Sequence, residues 1–280
     1  MAVSEFFADM AVNPFLGRGL WAGLLASLAC GVIGPYAVTR RIIFLAGAIA
    51  HIAVGGIGAA IYLRHRFPAA LGGLEPLHGA MAAALAAAVV LAWVQHRFAE
   101  RTDTLIGALW SIGMAAGVLL VKLTPGYHSE LLGYLFGNIT FASRESLWLL
   151  AGLDLVIVAT TLLFHKRFLA ICLDAEQAEL QRVSVLGTQM VLLLLVALTV
   201  VALTQVVGLI LVIALLSLPA ATAGLWVGRL SAMIWLSILF GSLLTTLPRI
   251  AVYGSALSPE AAIVLAAGLF YLLSLLGIRR

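Results

Sequence analysis

Two ionisable residues stand where the surrounding sequence is otherwise wholly apolar. His51 lies in AIAHIAV and Asp154 in LWLLAGLDLVIVATTLLF. An ionised group at such a position costs on the order of 3 kcal/mol in hydrocarbon, so both are functional candidates. Imidazole is a good ligand for zinc, manganese or iron(II) and can also relay protons. A buried carboxyl can serve as a ligand or a proton acceptor beside a pathway. The plainer alternatives stay open: a histidine bonded to a neighbouring helix, and a carboxyl kept neutral or bonded to Ser or Thr.

Other chemistries find no residues to carry them. No GxxxxGK[ST] phosphate loop, HExxH, CxxC pair or nucleophile elbow occurs, so neither an ATP site nor a hydrolytic or redox site is expected. Cys30 and Cys172 sit in apolar stretches and read as packing residues. The chain is therefore read as a non-enzyme that binds no cofactor of its own.

The elements that must position His51 and Asp154 follow from composition. Of 280 residues, 63% are hydrophobic and 10% charged, against about 25% charged in soluble domains. Mean hydropathy is +1.14. Apolar runs long enough to cross about 30 Å of hydrocarbon recur along the chain. The expected fold is an all-α, polytopic membrane helix bundle of about nine spans, forming one domain over 1–280 with lipid around it and no nucleic-acid partner. The first residues lack a basic region ahead of an apolar core, so no cleavable signal is expected.

The spans read as Leu20 to Val38, Ile42 to Leu63, Leu77 to Val94, Leu105 to Val121, Leu147 to Phe164, Thr188 to Leu203, Val207 to Val227, Ala232 to Leu247 and Ala261 to Ile278. His51 then lies about 13 Å into the second at 1.5 Å per residue, and Asp154 near the middle of the fifth. Pro219 is expected to break or kink the seventh. Gly31, Gly34, Gly47, Gly55, Gly56 and Gly58 allow close helix approach in lipid.

Lys and Arg near the span ends set orientation. Placing Arg40, Arg41, Arg97, Arg101, Lys166, Arg167, Arg182, Arg229, Arg279 and Arg280 in the cytoplasm puts the N-terminus outside and the C-terminus inside. Arg18, Arg64, Arg66, Lys122, Arg144 and Arg249 then remain external. The longest polar break contains Asp174 to Arg182, an N-cap-type aspartate followed by a short amphipathic helix. It reads either as an interfacial helix or as a coupling element for a soluble partner. GYHSELLGYLFGNITF, too short to span, is expected to form an external re-entrant or surface piece.

Several stretches carry a family resemblance. GVIGPYAVTRRIIFLAGAIAHIAVGGIG resembles the start of the permeases of zinc/manganese/iron ABC importers, the ABC-3 family. RTDTLIGALWSIGMAAGVLLV, ELLGYLFGNI, VGLILVIALLSLPAATAG and AAIVLAAGLFYLLSLL are similar to further blocks of that family, in order. The resemblance implies the type II ABC importer permease fold in a bacterial cytoplasmic (inner) membrane. It implies a homodimer of permeases, two separate ATPase subunits that bind the ATP, and an external metal-binding solute-binding protein. The cargo would be a divalent transition metal, Zn2+, Mn2+ or Fe2+.

The resemblance also distributes roles. His51, with Asp154 as a further contributor, would handle the metal. Asp174, Glu176, Ala178, Glu179 and Arg182 would form the ATPase-coupling region, without the glycine usual after Ala178. Arg64, Arg66 and Arg249 would dock the binding protein. Two departures stand out: the family's intramembrane aspartate falls on Gly47, and its last external acid falls on or near Ala256. A proton-coupled secondary transporter using His51 and Asp154 is the alternative; it needs no coupling helix, and no inverted repeat of broken helices is visible. An intramembrane enzyme would need a catalytic set that the chain lacks.

Overall fold

The computed structural model describes residues 2–97, 102–125, 137, 139 and 142–277. All regular structure among them is helical. The helices are α1 Ala2–Val12, α2 Pro14–Thr39, α3 Ile43–Arg66, α4 Pro68–Leu71, α5 Pro76–Arg97 and α6 Thr102–Lys122. They continue with α7 Arg144–Leu173, α8 Ala175–Leu180, α9 Val185–Val207, α10 Leu209–Trp226, α11 Leu230–Ala251 and α12 Pro259–Gly277. Eight of these are long and apolar enough to cross a membrane, and α6 adds the apolar stretch Ile106–Lys122. The expected spans fall on these helices, the seventh starting just before Gly208 and the ninth reaching past the described residues. Most of GYHSELLGYLFGNITF lies outside the described residues.

Helix starts follow local chemistry. Asn13 caps α2 by accepting from the Phe15 amide at 3.0 Å, and Pro14 occupies the first turn, where its missing N–H costs nothing. α7 is longer than its apolar core: 30 residues, about 45 Å at 1.5 Å per residue. It runs on through His165, Lys166 and Arg167.

Two compact units divide the chain. The first holds Met1–Arg41, Leu135–His165 and Ala202–Arg280. There α2 packs on α11, with Ser27 Oγ and Thr245 Oγ1 3.2 Å apart in the seam. Ala220, Ala223, Met233 and Phe240 form an apolar cluster against Phe270, whose ring meets Phe240 edge-on at 5.0 Å. The amphiphilic α1 docks through the fully buried Phe6, which packs on Leu16, Ile250 and the Tyr253 ring. Tyr253 also donates its hydroxyl to Asp9 at 2.6 Å.

Also in this unit, α9 and α10 are joined by Gly208 alone, at φ 83° and ψ 156°. Essentially only glycine adopts that conformation. Gly137, itself at φ 64°, seats against it: a Cβ there would fall 2.6 Å from Gly208 Cα. Pro219 does not break its helix, which is continuous from Leu209 to Trp226. The break in this part of the chain sits at Gly208. Apolar helix formers surround Pro219, while Ser217 Oγ and Thr222 Oγ1 bond back to Ile213 and Leu218 carbonyls.

The second unit holds Ile42–Tyr134 and Lys166–Val201. Its centre is α3, flanked by α5 and α6. Gly55 and Gly58 of α3 face Gly113 and Gly117 of α6 so closely that a Cβ on Gly58 would lie 2.6 Å from the Gly117 carbonyl oxygen. Gly56 meets Gly79 of α5 in the same manner, with Ala60 and Ala83 beside them. In lipid no hydrophobic force drives helices together, so backbone-to-backbone packing of this kind is what holds them. Gln189 Nε2 donates to Gln95 Oε1, adding a polar tie from α9 to α5.

Gly117→Val should therefore separate α3 from α6 and cost about 1–3 kcal/mol, read as a lowered unfolding midpoint of the detergent-purified protein. Gly107→Val, on the same helix with nothing within 4 Å of its Cβ direction, should leave the midpoint within error.

Candidate transport pathway and partner-facing sites

α3 carries His51 in the second unit, with Gly47 one turn before it on the same face. The imidazole is half-buried and stacks on the indole of Trp110 from α6, with ring centroids 4.4 Å apart and planes 25° from parallel. His51 Nδ1 is buried without a hydrogen-bond partner. An orphaned ring nitrogen among apolar helices costs the free energy of a lost hydrogen bond. It is also a vacant lone pair or proton that a passing ion or water can use.

Asp154 lies on the part of α7 that belongs to the first unit, 4% exposed, with neither carboxylate oxygen bonded. Of the alternatives left open by the sequence, a carboxyl bonded to Ser or Thr is therefore not what the structure holds. Cys30, fully enclosed on α2, is near enough to interact electrostatically with Asp154. Among the described residues no group of three or more His, Cys, Asp or Glu side chains is assembled to hold an ion. A closed cage of four ligands is therefore not assembled around His51 or Asp154 by the described residues.

The short helix after α7 forms as its sequence predicts. Asp174 Oδ1 accepts from the Glu176 and Gln177 amides at 2.9 and 3.1 Å, satisfying two orphan donors of α8. Its C-terminus closes with Val183 N donating to Ala178 O at 3.0 Å and Arg182 N to Glu179 O at 2.9 Å, the paired bonds of a Schellman motif. The left-handed residue of that motif, usually glycine, is Arg182 at φ 61°. Ala178 is buried beneath the helix, while Asp174, Glu176, Glu179 and Arg182 are exposed. Leu173 and Leu180 project from the same segment at 77% and 85% exposure. A pocket of about 230 Å³ beside α8 is lined by Lys166, Leu169, Asp174 and Gln177 among others.

The three arginines assigned to docking separate. Arg66 is exposed at the end of α3 and lies over the Phe67 ring, and Arg64 is half-exposed. Arg249 is only 3% exposed, which corrects its assignment as a docking residue. Its guanidinium fills the space left by Gly19, with Nη2 donating to the Leu16 carbonyl at 3.4 Å, and it interacts electrostatically with Glu260. Glu260 in turn accepts from the Ile139 amide at 2.9 Å. A cation enclosed in this way ties α2 to α11 and cannot meet a protein in solution.

The sequence matches the ABC 3 transport family over residues 12–278. The chain belongs to the ABC-3 transport family. A probable metal transport system membrane protein of Chlamydia muridarum is 38% identical over 94% of the permease and 89% of that relative. The manganese transport system membrane protein MntC of Halalkalibacterium halodurans is 30% identical over 84% of the permease and 78% of that relative. A chain of PsaBC from Streptococcus pneumoniae, solved in complex with Fab, superposes with a TM-score of 0.84 at 28% identity, covering 97% and 95% of the two chains. The fold expected from the sequence, a helical ABC permease in a membrane, is thereby established.

Residue-by-residue reading missed Trp110, the Tyr36 hydroxyl bonded to His165 Nδ1 at 2.6 Å, and the Gln95–Gln189 pair. The signal available for the last two was polarity inside or at the edge of apolar runs.

The caps of α8 are open to test. Arg182→Gly relieves the left-handed backbone and should stabilise the permease by about 1 kcal/mol, whereas Asp174→Ala should destabilise it by about 1 kcal/mol. Both are read as shifts of the thermal midpoint in detergent, in opposite directions.

Proposed function

We propose that this permease carries a divalent transition metal ion, zinc, manganese or iron(II), inward across a bacterial cytoplasmic membrane, powered by ATP hydrolysis on separate subunits. The observation that carries the reading is the family match over residues 12–278, to which metal transport system proteins among its relatives add the class of cargo. Manganese is the first cargo to test, because a manganese transport system protein is among those relatives. The orphaned His51 Nδ1 and Asp154 oxygens support the reading as polar stations in otherwise apolar helices. Family membership also weighs against the proton-coupled secondary transporter, which has no use for the built and capped α8.

In this proposal two copies of the chain pair, each with one ATPase. Asp174, Glu176, Ala178, Glu179 and Arg182 face that ATPase from the cytoplasm, the side of the C-terminus. An external solute-binding protein delivers the metal, with Arg64 and Arg66 meeting its acidic residues and raising the rate of encounter. The N-terminus lies outside.

His51→Ala should lower metal uptake by about tenfold in cells, one lost ligand contact at about 1.4 kcal/mol, with expression and ATPase association unchanged; uptake at the wild-type rate would remove His51 from the pathway. Arg64→Glu with Arg66→Glu should weaken binding-protein affinity at low salt and converge on wild type as salt screens the charges. An affinity indifferent to both substitution and salt would count against the docking role.

A further inference from the structure

Gly47, His51 and Trp110 form an interlock in which only His51 carries a proposed metal-handling role. A Cβ added at Gly47 would lie 2.7 Å from Trp110 Cζ3 and 3.0 Å from Cη2, so the benzene edge of the indole occupies the place of a residue-47 side chain. The same indole lies against the His51 ring one turn further on. The glycine seam just beyond, Gly113 on Gly55 and Ile52, fixes α6 at this separation, a Cβ on Gly113 falling 2.8 Å from Ile52 Cα. Trp110 therefore has a seat at Gly47, a stacking partner at His51 and a rigid backbone behind it.

We propose that Trp110 is a positioning residue for His51, seated by Gly47, which holds the imidazole in one orientation and favours it when it holds a metal cation. The proposal rests on His51 handling the cargo. An imidazole that takes a metal ion becomes electron-poor, and the electron-rich indole face attracts such a ring as it attracts other cations. Trp110 thus strengthens the transient contact of cargo with His51 while remaining outside the set of ligands. The place one turn before His51 is thus filled by an apolar ring edge, and position 47 adds no ligating side chain beside the imidazole.

The test uses the permease with its ATPase and binding protein in cells for uptake of Mn(II) and Zn(II), and the purified permease for labelling of His51 by diethyl pyrocarbonate. Trp110→Ala should raise the labelling rate several-fold and lower uptake about three- to tenfold, the range of an aromatic–cation contact. Trp110→Phe should restore most of both. Gly47→Val should reproduce Trp110→Ala by displacing the ring, and the double variant Gly47→Val with Trp110→Ala should be no worse than either single one. Unchanged labelling and uptake in Trp110→Ala would overturn the proposal, as would equal loss in Trp110→Ala and Trp110→Phe. If Trp110→Ala does not fold, labelling of Trp110→Phe and Gly47→Ala decides: faster labelling in Gly47→Ala than in Trp110→Phe supports the interlock, and wild-type rates in both reject it. Wild-type uptake in His51→Ala, by contrast, removes the functional reading beneath the proposal and leaves the labelling result standing on its own.

Discussion

Backbone-to-backbone contact between α3 and α6 is the constraint from which the geometry of the second unit follows. Hydrocarbon solvates leucine as well as a protein core does, so the helices gain little by burying apolar side chains against each other. What they gain comes from many close dispersion contacts, and Gly55, Gly58, Gly113 and Gly117 bring whole peptide units within reach. Because the axes are this close, a residue as large as Trp110 can fit only where the facing helix also lacks a side chain, and Gly47 is that place. The stacking of the indole on His51 is then a result of helix spacing before it is a matter of affinity between rings. A small change at the seam would reach the imidazole without touching it.

The first unit solves the same problem with different means. Small residues of α2 again admit the neighbouring backbone, Gly31 against Ile238 and Gly34 against the Leu216 carbonyl, but polar ties join them. Ser27 and Thr245 each bond back to their own helix and face one another across the seam. Hydroxyls used in this way are satisfied locally first, so the interhelical contact adds orientation at little cost. Arg249 extends the pattern to a full charge, enclosed between a carbonyl, the gap at Gly19 and the field of Glu260. Not every polar group of the unit is paired: both Asp154 oxygens, Thr161 Oγ1, Ser237 Oγ and Arg249 Nη1 are buried without a hydrogen bond.

What the sequence disclosed, and what it hid, divides along physical lines. Spans were legible because hydropathy over about 20 residues is set by the bilayer itself, and the cap at Asp174 because an N-cap acts through its own backbone. The end of α7 was not legible: a hydropathy reading stops at His165, Lys166 and Arg167, but lysine and arginine are good helix formers and the helix does not stop. Helix α1 was missed because its apolar face contains only Phe6 and a few neighbours, and it is held by partners distant in sequence, Ile250 and Tyr253. Arg249 looked external because the rule for positive residues counts position along a span, while its burial depends on a glycine 230 residues earlier. His51 and Asp154 were found by polarity alone; the partner of His51, an aromatic among other apolar residues of α6, carries no such mark.

Gly208 carries a mechanical meaning. One residue separates α9 from α10, and the peptide units on either side of it are planar, leaving only φ and ψ of Gly208 as soft degrees of freedom between two rods. A longer linker would act as slack and absorb a sliding motion of one helix. This joint has none: it can swivel, and it cannot stretch. With Gly137 pressed against the joint, even the swivel is crowded on one side. A displacement of the near end of α10 must therefore carry the end of α9 with it, the two rods being free only to change direction relative to each other.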